Sequence, residues 1–228
     1  MILATHQPIF MPWPGLFYKA MLADCLVLLD DVQFPRGRSW LNRNRLKNER
    51  GEAWLTVPVW KKGRGLQVIR QVEIYDERVW RKKHLRSIQQ NYVNAPYLNE
   101  YFETIESVYQ KNHSLLAELN IDLIRFLWEA LSLKTQLLLQ SDLGINGKGT
   151  ELLIKICKHV GSNSYSIFPM VEKHLDIVEM KKHGIELAPV NFHPPVYPQL
   201  WGEFIYNLST LDLLLNCGPK SKDIISNA

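Results

Sequence analysis

The chain has little cysteine, little net charge and no long apolar run. Its 228 residues carry three cysteines, and 27 basic against 23 acidic residues leave a formal charge of +4. Cys25, Cys157 and Cys217 stand apart in apolar surroundings, and no pair has C-x-x-C spacing. That argues against a cysteine zinc site and for reduced, buried thiols in a reducing compartment. No apolar run approaches the ~20 residues that a membrane helix needs. No basic region followed by an apolar core and a small-residue cleavage site opens the chain. We therefore expect a soluble, cytoplasmic protein with no membrane partner. The mild charge, with aromatics not interleaved among basic residues, gives a nucleic-acid role no support. It slightly favours an anionic small ligand such as a nucleotide or sugar nucleotide, although a solvated surface accounts for it as well. H-E-x-x-H, G-x-S-x-G and Cys/His signatures are missing, so neither a metal nor covalent catalysis is expected. Internal repeats and low-complexity tracts are missing too.

What is present is an alternation of short apolar runs and helical periods. Ile2-Leu3-Ala4 reads as a buried strand that ends in polar His6-Gln7. A helix over roughly 15–23 and a second buried run, Cys25 to Leu29, complete a βαβ unit. Residues 35–51 read as a polar, basic loop. Residues 53–59 and 67–74 read as a long-looped hairpin, with Pro58 favouring an edge position. Residues 76–133 read as three helices, with Asp76 as the cap of the first. The remainder alternates again: strands at 136–140, 164–168 and 185–190, separated by a helix that Thr150 caps and Gly161 ends, and by one over 173–183. The expected fold is α/β. It is a Rossmann-like, open, mostly parallel sheet within a single domain over 1–228, with the hairpin and helical lobe of 52–133 inserted. The topological switch point is placed between the first strand and the strand near residue 137, with His6, Gln7 and the loop around Gly147 facing it.

Polar side chains at strand ends and in stiffened turns are the candidates for chemistry. His6 titrates near neutrality and suits acid/base work or phosphate contact, or fixes its own turn. Gln7 binds a carbonyl or hydroxyl, or caps the turn. Trp13 stacks a ring, or packs. Asp30 follows a strand, where carboxylates meet sugar hydroxyls or magnesium through water. Gln33 repeats the theme more weakly. Arg43, flanked by Asn42 and Asn44, has the fork that grips phosphate or carboxylate. His193 and Gln199 sit in a proline-stiffened segment. Gly147-Lys148-Gly149-Thr150 lacks the full Walker pattern, and it binds phosphate through helix-terminal amides or serves as a cap alone. Asp212 and Asn216, four apart on one helix, are expected to hydrogen-bond the His6 loop.

Together, His6-Gln7-Pro8, Pro12-Trp13, Gly15, Phe17, Lys19, Asp30, Val32-Gln33-Phe34, Asn42-Arg43-Asn44, Trp54 to Pro58, Tyr197 to Leu200 and Leu208 to Gly218 resemble the WbqC-like family over nearly the whole chain. The resemblance implies a place in surface-polysaccharide and modified-sugar biosynthesis, including O-antigen. It implies a transferase or ligase moving an acyl or aminoacyl group onto an amino sugar or sugar nucleotide. ATP with magnesium, or an acyl donor, would activate the acyl group, and other glycan-biosynthesis enzymes would be partners. In that scheme His6 is acid/base or phosphate contact, Arg43 the anion clamp and Asp30 the hydroxyl or magnesium contact. One departure is Phe168-Pro169-Met170, where a glycine-containing phosphate loop is expected. The strand–histidine–turn–helix opening is also similar to HIGH-type nucleotidyltransferases, with His6 alone of their two histidines. A non-catalytic sugar-nucleotide-binding scaffold is the competing expectation.

Overall fold

The computed structural model describes residues 1–75 and 79–228; Asp76, expected as a helix cap, lies outside the described residues. In chain order the elements are β1 (Ile2–His6), α1 (Pro14–Met21), β2 (Cys25–Leu28), β3 (Arg43–Asn48), β4 (Gly51–Thr56), α2 (Val79–Asn91), α3 (Leu98–Gln110), α4 (Leu116–Ala130), β5 (Gln136–Leu139), α5 (Gln140–Leu143), α6 (Gly149–Val160), β6 (Ser164–Ile167), α7 (Pro169–Glu172), α8 (Ile177–Lys182), β7 (Glu186–Pro189), α9 (Thr210–Cys217) and α10 (Ser221–Ser226). They fall into two compact units.

The first unit comprises residues 1–7, 15–32 and 133–193. It holds a five-stranded parallel sheet in the order β5-β2-β1-β6-β7. The expected α/β architecture is present, and each of the five expected strands forms within one residue of its expected ends. Continuous apolar runs form such strands because a parallel sheet is covered on both faces. Leu3, Cys25, Val27, Tyr165 and Ile167 bury one face against Leu152, Ile156 and Cys157 of α6 and Met180 of α8. Ala4, Leu26 and Leu28 alternate to the opposite face and are fully buried as well. α1 begins on Pro14, whose fixed φ suits a first helical position.

The strand order corrects one expectation. β1 pairs with β2 on one side and β6 on the other, while β5 is an edge strand beside β2. The switch point therefore lies between β1 and β6, not between β1 and the strand near residue 137. The reason is that β2 already occupies the place next to β1, so the next crossover continues outward and the chain returns only at β6. The Gly147 loop follows the edge strand, two strands from β1. Two helix starts also differ. α6 opens at Gly149 with Lys148 as its uncapped N-terminal neighbour, and Thr150 instead accepts a hydrogen bond from the Asp176 amide at 2.9 Å. The helix expected over 173–183 forms only as α8, because Asp176 accepts from the Glu179 amide at 3.0 Å and starts the helix there, while the separate short α7 ends at Glu172.

The second unit comprises residues 8–14, 33–132 and 194–228. Its hairpin is β3–β4, paired from Arg43↔Thr56 to Asn48↔Gly51. This corrects both the loop expected over 35–51 and the hairpin expected over 53–59 and 67–74. The latter segments meet only at a Val59↔Ile74 bridge, and residues 69–71 form a single 3₁₀ turn. α2, α3, α4 and α9 bury Ile88, Ile105, Tyr109, Ile124, Leu127 and Leu214. Asp212 is fully buried and accepts hydrogen bonds from Tyr92 and, at 2.8 Å, from Tyr197, while Asn216 donates to the Asp212 carbonyl. Asp212 thus anchors two tyrosines, not the His6 loop. Burial raises its carboxyl, and the two hydroxyls and the nearby Lys47 ammonium oppose that rise.

Candidate functional site

In the first unit, the carboxyl end of β1 and the adjacent β6 hold a buried cation that has no acid partner among the described residues. Lys19, on α1, is 5% exposed. Its ammonium donates to the Thr5 carbonyl at 3.1 Å and lies 5.6 Å and 5.5 Å from the ring centres of Tyr165 and Phe168. Among the described residues no carboxylate forms an ion pair with it. Burial holds Lys19 at about 8, well below the ordinary lysine value. A buried ammonium held only by a carbonyl and two ring faces is poorly compensated for its lost hydration.

His6 sits at the strand end with Gln7. Its Nδ1 lies 2.7 Å from the Gln7 carbonyl, which can only accept, so Nδ1 carries the proton and Nε2 presents a lone pair. Burial above all, and then the Lys19 charge, drive His6 down to about 4 against the hydrogen bond to Gln7. The ring is neutral at pH 7. The hydroxyls of Thr5 and Tyr165 are hydrogen-bonded at 2.7 Å, tying β1 to β6 across the switch point. Burial pushes Tyr165 up to about 12.

The other candidates divide by what they hold. Asp30 accepts from the Ser141 amide at 2.9 Å and from its hydroxyl at 2.6 Å, so both oxygens serve the start of α5. His193 is exposed in the first unit. In the second unit, Asn42 donates to the Val57 carbonyl at 3.0 Å. Asn44 donates to the carbonyls of Phe10 and Met11 at 3.2 and 2.6 Å, and Asn120 donates to Pro8 and Leu41, both at 2.7 Å. These amides fix the 8–14 turn, where Met11 takes a left-handed φ of 44°. Gln199 grips Ile205 through both its carbonyl and its backbone amide. Trp13 is half-buried, and Gln33 is exposed in a bridge to Val68. Among the described residues no group of three or more His, Cys, Asp or Glu is placed to hold a metal, and all three cysteines are buried free thiols. No described helix is long and apolar enough to cross a membrane.

Arg43 is different. Its guanidinium lies 3.9 Å from the Trp54 ring centre, and its Nε is buried with no hydrogen-bond partner. Sequence reasoning missed Lys19 as a site residue, although one lysine between buried Leu16, Phe17 and Ala20 was its signal. It missed Trp40 and Trp54 as site residues because only the fold exposes them.

The five-stranded parallel sheet, covered by helices and carrying Lys19 and His6 at its switch point, places the chain in the α/β class. A family model described as the WbqC-like protein family matches residues 7–224. The uncharacterized protein Rv1507c of Mycobacterium tuberculosis is 32% identical over 224 residues, spanning 97% of this chain and 96% of that protein. The chain belongs to the WbqC-like family.

Proposed function

We propose that the chain is an enzyme of surface-glycan or modified-sugar biosynthesis, transferring or ligating an acyl or aminoacyl group onto an amino sugar or sugar nucleotide. The observation that carries this reading is Lys19, buried and, among the described residues, without an acid partner, beside neutral His6 at the end of β1. Lys19 receives the phosphate or carboxylate of a nucleotide or activated acyl donor. Amide formation makes one C–N bond, expels the acyl leaving group with its electron pair and releases one N–H proton. His6 Nε2 is the lone pair available to take that proton. Asp30 accepts one hydrogen bond from Ser141 at each oxygen, and its remaining lone pairs keep it available as a hydroxyl contact.

The test is calorimetric titration of the purified protein with ATP and magnesium, acyl-CoA donors and nucleotide amino sugars, followed by turnover assays on the pairs that bind. One of these anions is expected to bind, to weaken at least about tenfold in Lys19→Met, and to be consumed with an amino sugar. Binding that survives Lys19→Met overturns the site. Binding without turnover in any pairing overturns the enzyme and favours a scaffold.

A further inference from the structure

Neighbouring arginines on the β3–β4 hairpin differ in one respect. Arg45 is paired with Glu52. Arg64, on a nearby segment of the chain, is paired with Glu73 at 2.7 Å. Arg43, among the described residues, has no carboxylate and makes no hydrogen bond. Its partner among the described residues is the face of Trp54; its Nε proton is buried and unanswered, as is that of Arg45, whose two terminal nitrogens are both bonded. Buried donors in folded proteins are nearly always partnered, and Arg43 differs from Arg45 in that its whole guanidinium lacks a hydrogen-bond partner where it lines a cavity, which leaves its fork open to an acceptor.

The surroundings match that acceptor. Arg38, Ser39, Trp40, Arg43 and Trp54 line an open cavity of 210 Å³. Trp40 and Trp54 are 49% and 42% exposed, with ring centres 5.5 Å apart and planes inclined by 30°. Large exposed tryptophan faces offer flat apolar area at little entropic cost, and they recur where rings are bound. The loop that carries Arg38 is tied down at Gly37, whose carbonyl accepts from Lys61 at 2.9 Å. The volume holds one ring, below the roughly 300 Å³ or more typical of drug-sized ligands.

We infer that Arg43, Arg38, Trp40 and Trp54 form a second binding site, for a small anion whose ring has an apolar or aromatic face to lay on tryptophan and whose carboxylate or phosphate is on that ring or on the sugar joined to it. The tryptophan faces take the ring, and the two guanidinium groups take the anion. An acidic or phosphorylated sugar and a nucleotide share this chemistry. The site stands independently of Lys19.

Tryptophan fluorescence of the full chain, titrated with glucuronate, glucose 1-phosphate, uridine monophosphate and neutral methyl glucoside, tests this. Saturable quenching is expected with at least one anionic ring and not with methyl glucoside. Response to the sugars identifies a sugar site, and response to uridine monophosphate a nucleotide site. Affinity should fall at least about tenfold in Arg43→Gln, and less in Arg43→Lys, which keeps charge without the fork. Exposed Trp40→Ala should lose the signal while keeping wild-type circular dichroism. Failure of every probe below about 10 mM, or unchanged binding in Arg43→Gln and Trp40→Ala, overturns the site.

Discussion

Replacing Lys19 by methionine should stabilise the protein at pH 7. Burial lowers the ammonium from 10.5 to about 8, which corresponds to about 3 kcal/mol against the charged form at roughly 1.4 kcal/mol per pH unit. Methionine keeps the length and apolar stem, and it loses the hydrogen bond to the Thr5 carbonyl, worth about 1 kcal/mol net. The balance is about 2 kcal/mol in favour of the variant. The sign with pH follows from the depressed folded value. Between about 8 and 10.5 the unfolded chain binds the extra proton, so the stability of the wild type rises with pH through that window. The advantage of the variant is full at pH 7 and has vanished near pH 10.5. Urea unfolding followed by tryptophan fluorescence at pH 7, 9 and 10.5 measures it, with a midpoint shift of ~1 M at pH 7. A variant less stable than wild type at pH 7, or a gap unchanged at high pH, would refute the reasoning. Lys19 would then already be compensated within the protein.

Two further outcomes follow from buried groups. His6, lowered from 6.5 to about 4 by burial and by Lys19, contributes stability that is present above pH 6.5 and lost as pH falls towards 4. His6→Gln should make the acid limb of the stability curve shallower by about one proton, and His84, lowered to about 4 chiefly by burial, keeps the rest of the slope; identical slopes in wild type and variant would contradict this. Asp212→Asn replaces the charged acceptor of Tyr92 and Tyr197 and should cost about 2 kcal/mol or more. Thermal unfolding would show it, and an unchanged midpoint would mean the carboxyl is already protonated.

The strands of the sheet were legible because each is a short apolar run, and that pattern survives in any tertiary context. Their order was not, since nothing local tells β6 rather than β5 to lie beside β1. The partner of Ile2 is Ser164. β3 was hidden because Arg43-Asn44-Arg45-Leu46-Lys47-Asn48 has one apolar residue, and it is a strand because β4 pairs with it and because the buried side chains of Asn44 and Lys47 reach the carbonyls of Met11 and Glu203. The site divides similarly. A histidine at a strand end is visible in sequence. Whether Asp30, Asn42, Asn44 or Gln199 faces a ligand or the protein's own backbone is not, because a carboxylate or amide at a turn suits both. Lys19 and the two tryptophans became informative only through what lacks a partner beside them and what stands exposed.

The two units are interlaced along the chain, which passes from one to the other at residues 7–8, 14–15, 32–33, 132–133 and 193–194. No single cut therefore releases either unit whole, and an expression fragment ending at any of these points carries parts of both. Synthesis meets the same topology. β1 finds β2 almost at once, yet its other edge must wait for Ser164, roughly ten seconds later at ordinary elongation rates. For that interval the nascent chain displays an open, apolar strand edge, the species that holdase chaperones recognise and that aggregates when they are absent.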